Sequence, residues 1–189
     1  ERILLYNYLA AKWSPDTPVI TLAAGSQRYA GYAAANGNYD RDVWGIGRVS
    51  GTDQLLTGDT GTGLRLSASS LGDDHWLLAG HKTTTNAVLT VGVEPSVKER
   101  WTRVWYLDKT DADSSLTATL TFDFGEDDLA ASATNYDLLY SATDPFVFHA
   151  LGKAPLSGDQ VSFTLTSNQL QDGYYTLGRA IRGTLISLL

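Results

Sequence analysis

The chain has 189 residues, none of them cysteine or methionine, and a formal charge of −7. That length supports a buried core without disulfides or metal, and the missing thiols exclude cysteine catalysis, Cys-ligated zinc and disulfide frameworks. The negative balance, with no Lys/Arg stripe to offset it, makes nucleic acid an unexpected partner.

Residues 1–13, ERILLYNYLAAKW, place Ile3, Tyr6, Ala10 and Trp13, joined by Leu4 and Leu9, at three-to-four spacing, which predicts an opening helix with a broad apolar face. The helix starts in mid-stride and without Met, so an upstream segment removed during export and proteolytic processing is expected, with a truncation point at Glu1 as the alternative. Pro15 stops the helix by biasing Ser14 away from helical dihedrals, and Pro18 precedes a short strand candidate at residues 19–22. Further strands are expected at 43–49 and 63–69, between Gly, Asn and Asp clusters typical of turns. His75 to His81 is a continuous apolar run, the pattern of a strand buried on both faces. Pro95 and the charges around it mark an internal joint near 94–100.

In SLTATLTFDF, Leu116, Ala118, Leu120, Phe122 and Phe124 alternate with Thr117, Thr119, Thr121 and Asp123, so one face is apolar and the other hydrated. The expected hairpin partner is 101–109, joined through the acidic turn 110–114. Strands at 136–141, 146–151, 160–166 and 173–180 follow at sandwich-like spacing. The fold class is therefore all-β: an antiparallel β-sandwich, or two packed β-subdomains, with a short N-terminal helix. Residues 1–180 form the domain and 181–189 a strand-like tail. No apolar run approaches the roughly 20 residues needed to cross a bilayer.

Four stretches carry a resemblance: NYLAAKW (7–13), VWGIGRV (43–49), RVWYLDKTDADSSLTATLTFDF (103–124) and DGYYTLGRA (172–180). Together they resemble a β-rich domain of unknown function in bacterial surface and secreted proteins. That domain commonly follows a laminin-G/concanavalin-like module whose last helix has a similar YLA-x-K-aromatic ending. The resemblance implies an extracellular or cell-surface location and a β-rich fold, and supplies no catalytic residues. The chain departs from the pattern at Ser14-Pro15, where a Gly is usual, and in the tail RAIRGTLISLL, which runs past the usual end.

The chemistry legible in the residues is sparse. His75 and His81 bracket one strand at roughly 20 Å, too far for a shared metal, and His149 stands alone. No G-x-S-x-G elbow is present, so no enzyme is expected. Asp108, Asp111 and Asp113 lie close together on a presumed turn and are the candidates for calcium, with Asp40/Asp42, Asp73/Asp74 and 126–128 behind them. The spacing lacks the EF-hand's Gly and terminal Glu, and Asp also favours turns by bonding its own backbone. No other cofactor is expected. Trp101 and Trp105 share a strand face, but Val104 and Tyr106 are apolar too, so these tryptophans belong to a core rather than a sugar-stacking ladder.

The expectation is a non-catalytic extracellular structural module that assembles with other copies of itself or with adjacent domains of a larger precursor. The alternative is a calcium-dependent or glycan-binding adhesin module. The tail residues Ile181, Leu185, Ile186, Leu188 and Leu189 either complete their own sheet or add to a neighbour's, a head-to-tail contact that generates filaments. Ile3, Leu4 and Trp13 on the opening helix are the matching contact.

Overall fold

The computed structural model describes residues 2–13, 25 and 27–181, with Trp13 described by its backbone alone; the strand candidate at 19–22 and the tail residues 182–189 lie outside them. Two antiparallel sheets face each other, and a helix and an irregular segment cover the outer face of the larger sheet. The helix α1 (Arg2–Trp13) buries Leu4, Asn7, Ala10 and Ala11, positions spaced three and four apart.

The smaller sheet runs in the order β12 (Gln160–Thr166), β9 (Thr117–Asp123), β4 (Leu64–Ser67) and β3 (Thr57–Asp59). The larger runs β11 (His149–Pro155), β10 (Asn135–Ser141), β13 (Gly173–Ala180), β8 (Trp105–Thr110), β5 (Trp76–His81), β1 (Arg41–Ser50) and β2 (Asp53–Leu55). Beside β13, β7 (Val97–Trp101) pairs in turn with β6 (Val88–Leu89).

Period-two alternation explains the smaller sheet. Phe122, Leu120 and Ala118 sit opposite Val161, Phe163 and Leu165, and all six point into the space between the sheets. Leu116 joins them, so the alternating apolar positions of both strands share one core. On the outer face Thr119 meets Thr164 and Thr121 meets Ser162, each hydroxyl pair at 2.8 Å. The strand β5 is buried along its whole length: Leu77 and Ala79 enter the inter-sheet core, while Trp76 and Leu78 pack outward beneath α1 and its neighbours. Leaving any one of these large side chains wet would cost about 1.5 to 3 kcal/mol, which fixes the register.

The outer cover is tied down by polar groups. Asn7 Oδ1 accepts the N–H groups of Arg28 and Tyr29 at 2.9 and 3.0 Å. Tyr29 donates its hydroxyl to the Tyr39 carbonyl at 2.6 Å, and Asp108 accepts the Ala30 N–H. Where the sheets meet at one edge, a Cβ on Gly58 would lie 2.1 Å from the Gly45 carbonyl oxygen, so this backbone crossing requires glycine.

Three sequence expectations change. The 101–109 strand breaks at residues 102–104 into β7 and β8, because Arg103 turns inward to a buried carboxylate. The strands β8 and β9 do not form a hairpin: β8 pairs with β5 and β13, and β9 with β4 and β12, so the acidic turn between them crosses from one sheet to the other. The strand expected at 146–151 forms instead at His149–Pro155, since Phe146 and Phe148 pack beside Tyr174 and under Arg100. Within segment 94–100, a turn closed by the Val97 N–H on the Glu94 carbonyl leads directly into β7, which pairs in the larger sheet.

Candidate functional site

The acidic turn after β8 gathers part of what the sequence pointed to. Asp111 and Asp113 approach His75 Nε2, with Oδ1 distances of 3.4 and 3.0 Å. These three are the one group among the described residues whose ligand atoms lie close enough to hold a metal ion. Asp108 stands apart: it lies on β8, two residues along from Tyr106, and its carboxylate goes to the cover segment through Ala30. Burial pushes the Asp108 carboxyl up to about 6, with Asp172 adding to the shift.

The hydrogen bonds of the His75 group describe a fastening. His75 Nδ1 accepts the Gly72 N–H at 3.2 Å, which places the proton of the neutral ring on Nε2, facing both carboxylates. Asp111 accepts the N–H groups of Ser115 and Leu116 at 3.1 and 3.2 Å, and the Ser167 hydroxyl as well. A cation here would have to displace the Nε2 proton and would find an imidazole nitrogen with two carboxylates, whereas calcium takes six to eight oxygens. As it stands, the group ties the turn before β5 to the turn before β9 and to the segment after β12.

The other histidines take no part in it. His81, 1% exposed, bonds Asp42 through Nε2 at 2.9 Å; His149 lies on the exposed end of β11 against the Tyr140 ring. Asp42 adopts a left-handed φ of 50° where the register of β1 against β5 shifts.

Apolar surface is concentrated beside α1. Leu4, expected as an assembly contact, is 1% exposed and is buried against its own domain, while Ile3 is half-buried. The residues that α1 turns outward are Leu5 and Tyr6, 45% and 44% exposed. Leu5 joins Trp44 and Leu55 in a groove of about 620 Å³ whose polar members are Arg2, Thr57 and Asp59. Trp44 is half-buried there, whereas Trp76, Trp101 and Trp105 are buried, the last two in the inter-sheet core as expected.

At the other candidate assembly element, the Ile181 N–H bonds the Ser96 carbonyl at 2.8 Å, so the first tail residue continues from its own sheet while remaining 58% exposed. Leu185, Ile186, Leu188 and Leu189 lie outside the described residues. The edge strand β11 carries Lys153, Pro155 and a register shift, features that blunt an edge against pairing with another chain.

Sequence reasoning missed the buried pair Arg103 and Asp127, both 4% exposed at the side chain. Arg103 donates to Asp127 and to the carbonyls of Thr62 and Thr84, and Asn86 Nδ2 donates to the other Asp127 oxygen at 2.9 Å. The pair floors a cleft of about 360 Å³ between three loops, edged by Thr84, Thr85, Glu126 and Asp128. An Arg between two tryptophans was the available signal, but its partner lies 24 residues away. Among the described residues no helix is long and apolar enough to cross a membrane. Comparisons with protein-family models, curated proteins and solved structures found no match to this chain.

Proposed function

We propose that this chain is a non-catalytic structural module of a bacterial cell-surface or filament-forming protein that acts by assembling with other copies of itself or with neighbouring domains. The observation that carries this reading is the apolar groove of Leu5, Trp44 and Leu55, which a helix and a sheet edge present outward instead of closing over. Large apolar side chains gathered at one surface location are a mark of interaction sites. The exposed Ile181 at the root of an apolar tail supplies a second contact of the same chemistry.

Sedimentation velocity tests the reading. The wild-type chain should show concentration-dependent association, and Leu5→Glu, at an exposed helix position, should abolish it without lowering the thermal midpoint. A wild-type chain that stays monomeric with and without a neighbouring domain defeats it.

Glycan binding is the second reading, supported by one feature: Trp44 offers a half-buried ring beside Thr57 and Asp59, the platform and hydrogen-bonding groups on which a sugar ring stacks. Quenching or blue-shift of Trp44 fluorescence by oligosaccharides, lost in Trp44→Ala, would favour it over assembly.

A further inference from the structure

The groove beside α1 is bordered by Leu5 of the helix, Trp44 of β1 and Leu55 of β2, with Arg2 and Asp59 among its polar members. As the last strand of the larger sheet, β2 has no strand on its outer side among the described residues. Apolar side chains beside a free backbone edge suit an extended apolar segment, which fills the groove with side chains while its main chain bonds the edge. Two such grooves set face to face would leave each other's concavity unfilled.

Two longer segments lie outside the described residues, 14–24 and 182–189. The first is tied at both ends, to Trp13 and Gly25, and Pro15 and Pro18 remove two of the N–H groups that an edge would need. The second, RGTLISLL, holds Leu185, Ile186, Leu188 and Leu189 with no proline and no acid. Its one charge, Arg182, is positive in a chain of net charge −7. It therefore matches the groove in chemistry and brings a full set of backbone donors and acceptors to the edge.

The sheet register decides whose tail it is. Gly173 sits opposite Leu107, Leu107 opposite Ala79 and Ala79 opposite Trp44, one row across four strands. Three strand spacings make about 14 Å, and Ile181, eight residues beyond Gly173, adds about 26 Å along the strands, a diagonal of about 30 Å. Leu55 lies farther still, opposite Gly47 on β1. Fully stretched, the eight residues 182–189 span at most about 26 to 29 Å, and α1 lies in the way over β1. A tail that ends short of Trp44 leaves nothing to lie in its own groove. We propose that the occupant is segment 182–189 of a second copy, an inference that rests on the assembly function proposed for the chain. Each copy then offers one groove and one tail, a heterologous contact that propagates as an open chain.

Complementation between two variants tests this. Leu5→Glu keeps the tail and spoils the groove; deletion of residues 182–189 keeps the groove and removes the tail. Each alone should sediment as a monomer, and their equimolar mixture should form a 1:1 complex that grows no further, at concentrations where the wild type forms longer chains. Should either change lower the thermal midpoint, Leu5→Gln and Leu188→Asp take their places in the same mixture. A mixture that stays monomeric while the wild type associates overturns the tail-in-groove contact and leaves assembly to other surfaces, as does a tail deletion that still associates alone. A wild type that never associates, with or without a neighbouring domain, defeats the assembly function and this contact together.

Discussion

Replacing Arg103 by Met should be among the most damaging single changes in this domain. It removes the donors to the Thr62 carbonyl at 2.8 Å and the Thr84 carbonyl at 3.3 Å, and it strips the buried Asp127 carboxylate of its counter-charge. Removing one partner of a buried ion pair costs about 3 to 5 kcal/mol, because the remaining charge is left uncompensated. For a domain of this size each kcal/mol moves the thermal midpoint by about 2 to 4 °C, so a fall of about 6 to 20 °C is expected. Asp127→Asn should cost less. Burial already pushes the Asp127 carboxyl up, more than the Asn86 and Arg103 bonds hold it down, so a neutral group there sacrifices less than its charge suggests. The same sign gives a pH signature: a carboxyl whose folded pKa is raised costs stability as pH rises through that pKa, so the Arg103→Met deficit should shrink toward acid pH as Asp127 takes up a proton. Urea titrations of wild type, both single variants and the double variant at acid and neutral pH read out the costs and the coupling. An Arg103→Met deficit below about 1 kcal/mol, or an Asp127→Asn deficit as large, would refute the reasoning.

Phe122→Ala should cost about 3 to 5 kcal/mol, since the ring is fully buried and packs edge-on against Trp101, Trp105 and Phe163; an unchanged urea midpoint would contradict the shared core. Asp108→Asn should stabilise the domain at pH 7 by about 1 to 3 kcal/mol, because a carboxyl raised to about 6 favours folding only when protonated; the gain should vanish below about pH 4, and a gain independent of pH would count against it. His81 acts oppositely: burial first, then Arg103, lowers it to about 4, so its contribution is intact above about pH 6.5 and is lost as pH falls toward 4. His81→Gln should flatten that acid limb, and an unchanged limb would assign it to other groups.

Much of the strand pattern was legible because burial on one face writes a period of two into the residues: β9 and β12 announce themselves through Leu120, Phe122, Val161 and Phe163. The continuous run at β5 likewise reported burial on both faces. Pairing was less legible, since alternation tells which face a strand buries but not which neighbour it joins; β8 and β9, adjacent in sequence, belong to different sheets. The helix pattern marked Ile3 and Leu4 together as sticky, yet only the packed structure shows that Leu4 is buried while Leu5 and Tyr6 face outward. Asp111 and Asp113 were singled out as acidic neighbours, but the group they form depends on His75, brought from a turn more than thirty residues earlier. Long-range polar contacts of this kind carry no local periodicity, so Arg103 between two tryptophans drew notice while its pairing with Asp127 did not.

The most direct test of assembly is sedimentation velocity on the intact chain across a wide concentration range, beside Leu5→Glu and a deletion of residues 182–189. Association in the wild type that is lost in at least one variant, with thermal midpoints preserved in both, is the expected result. Wild-type material that remains a monomer at every concentration and with a neighbouring domain present, or association that neither variant alters, would contradict a structural role carried by these surfaces.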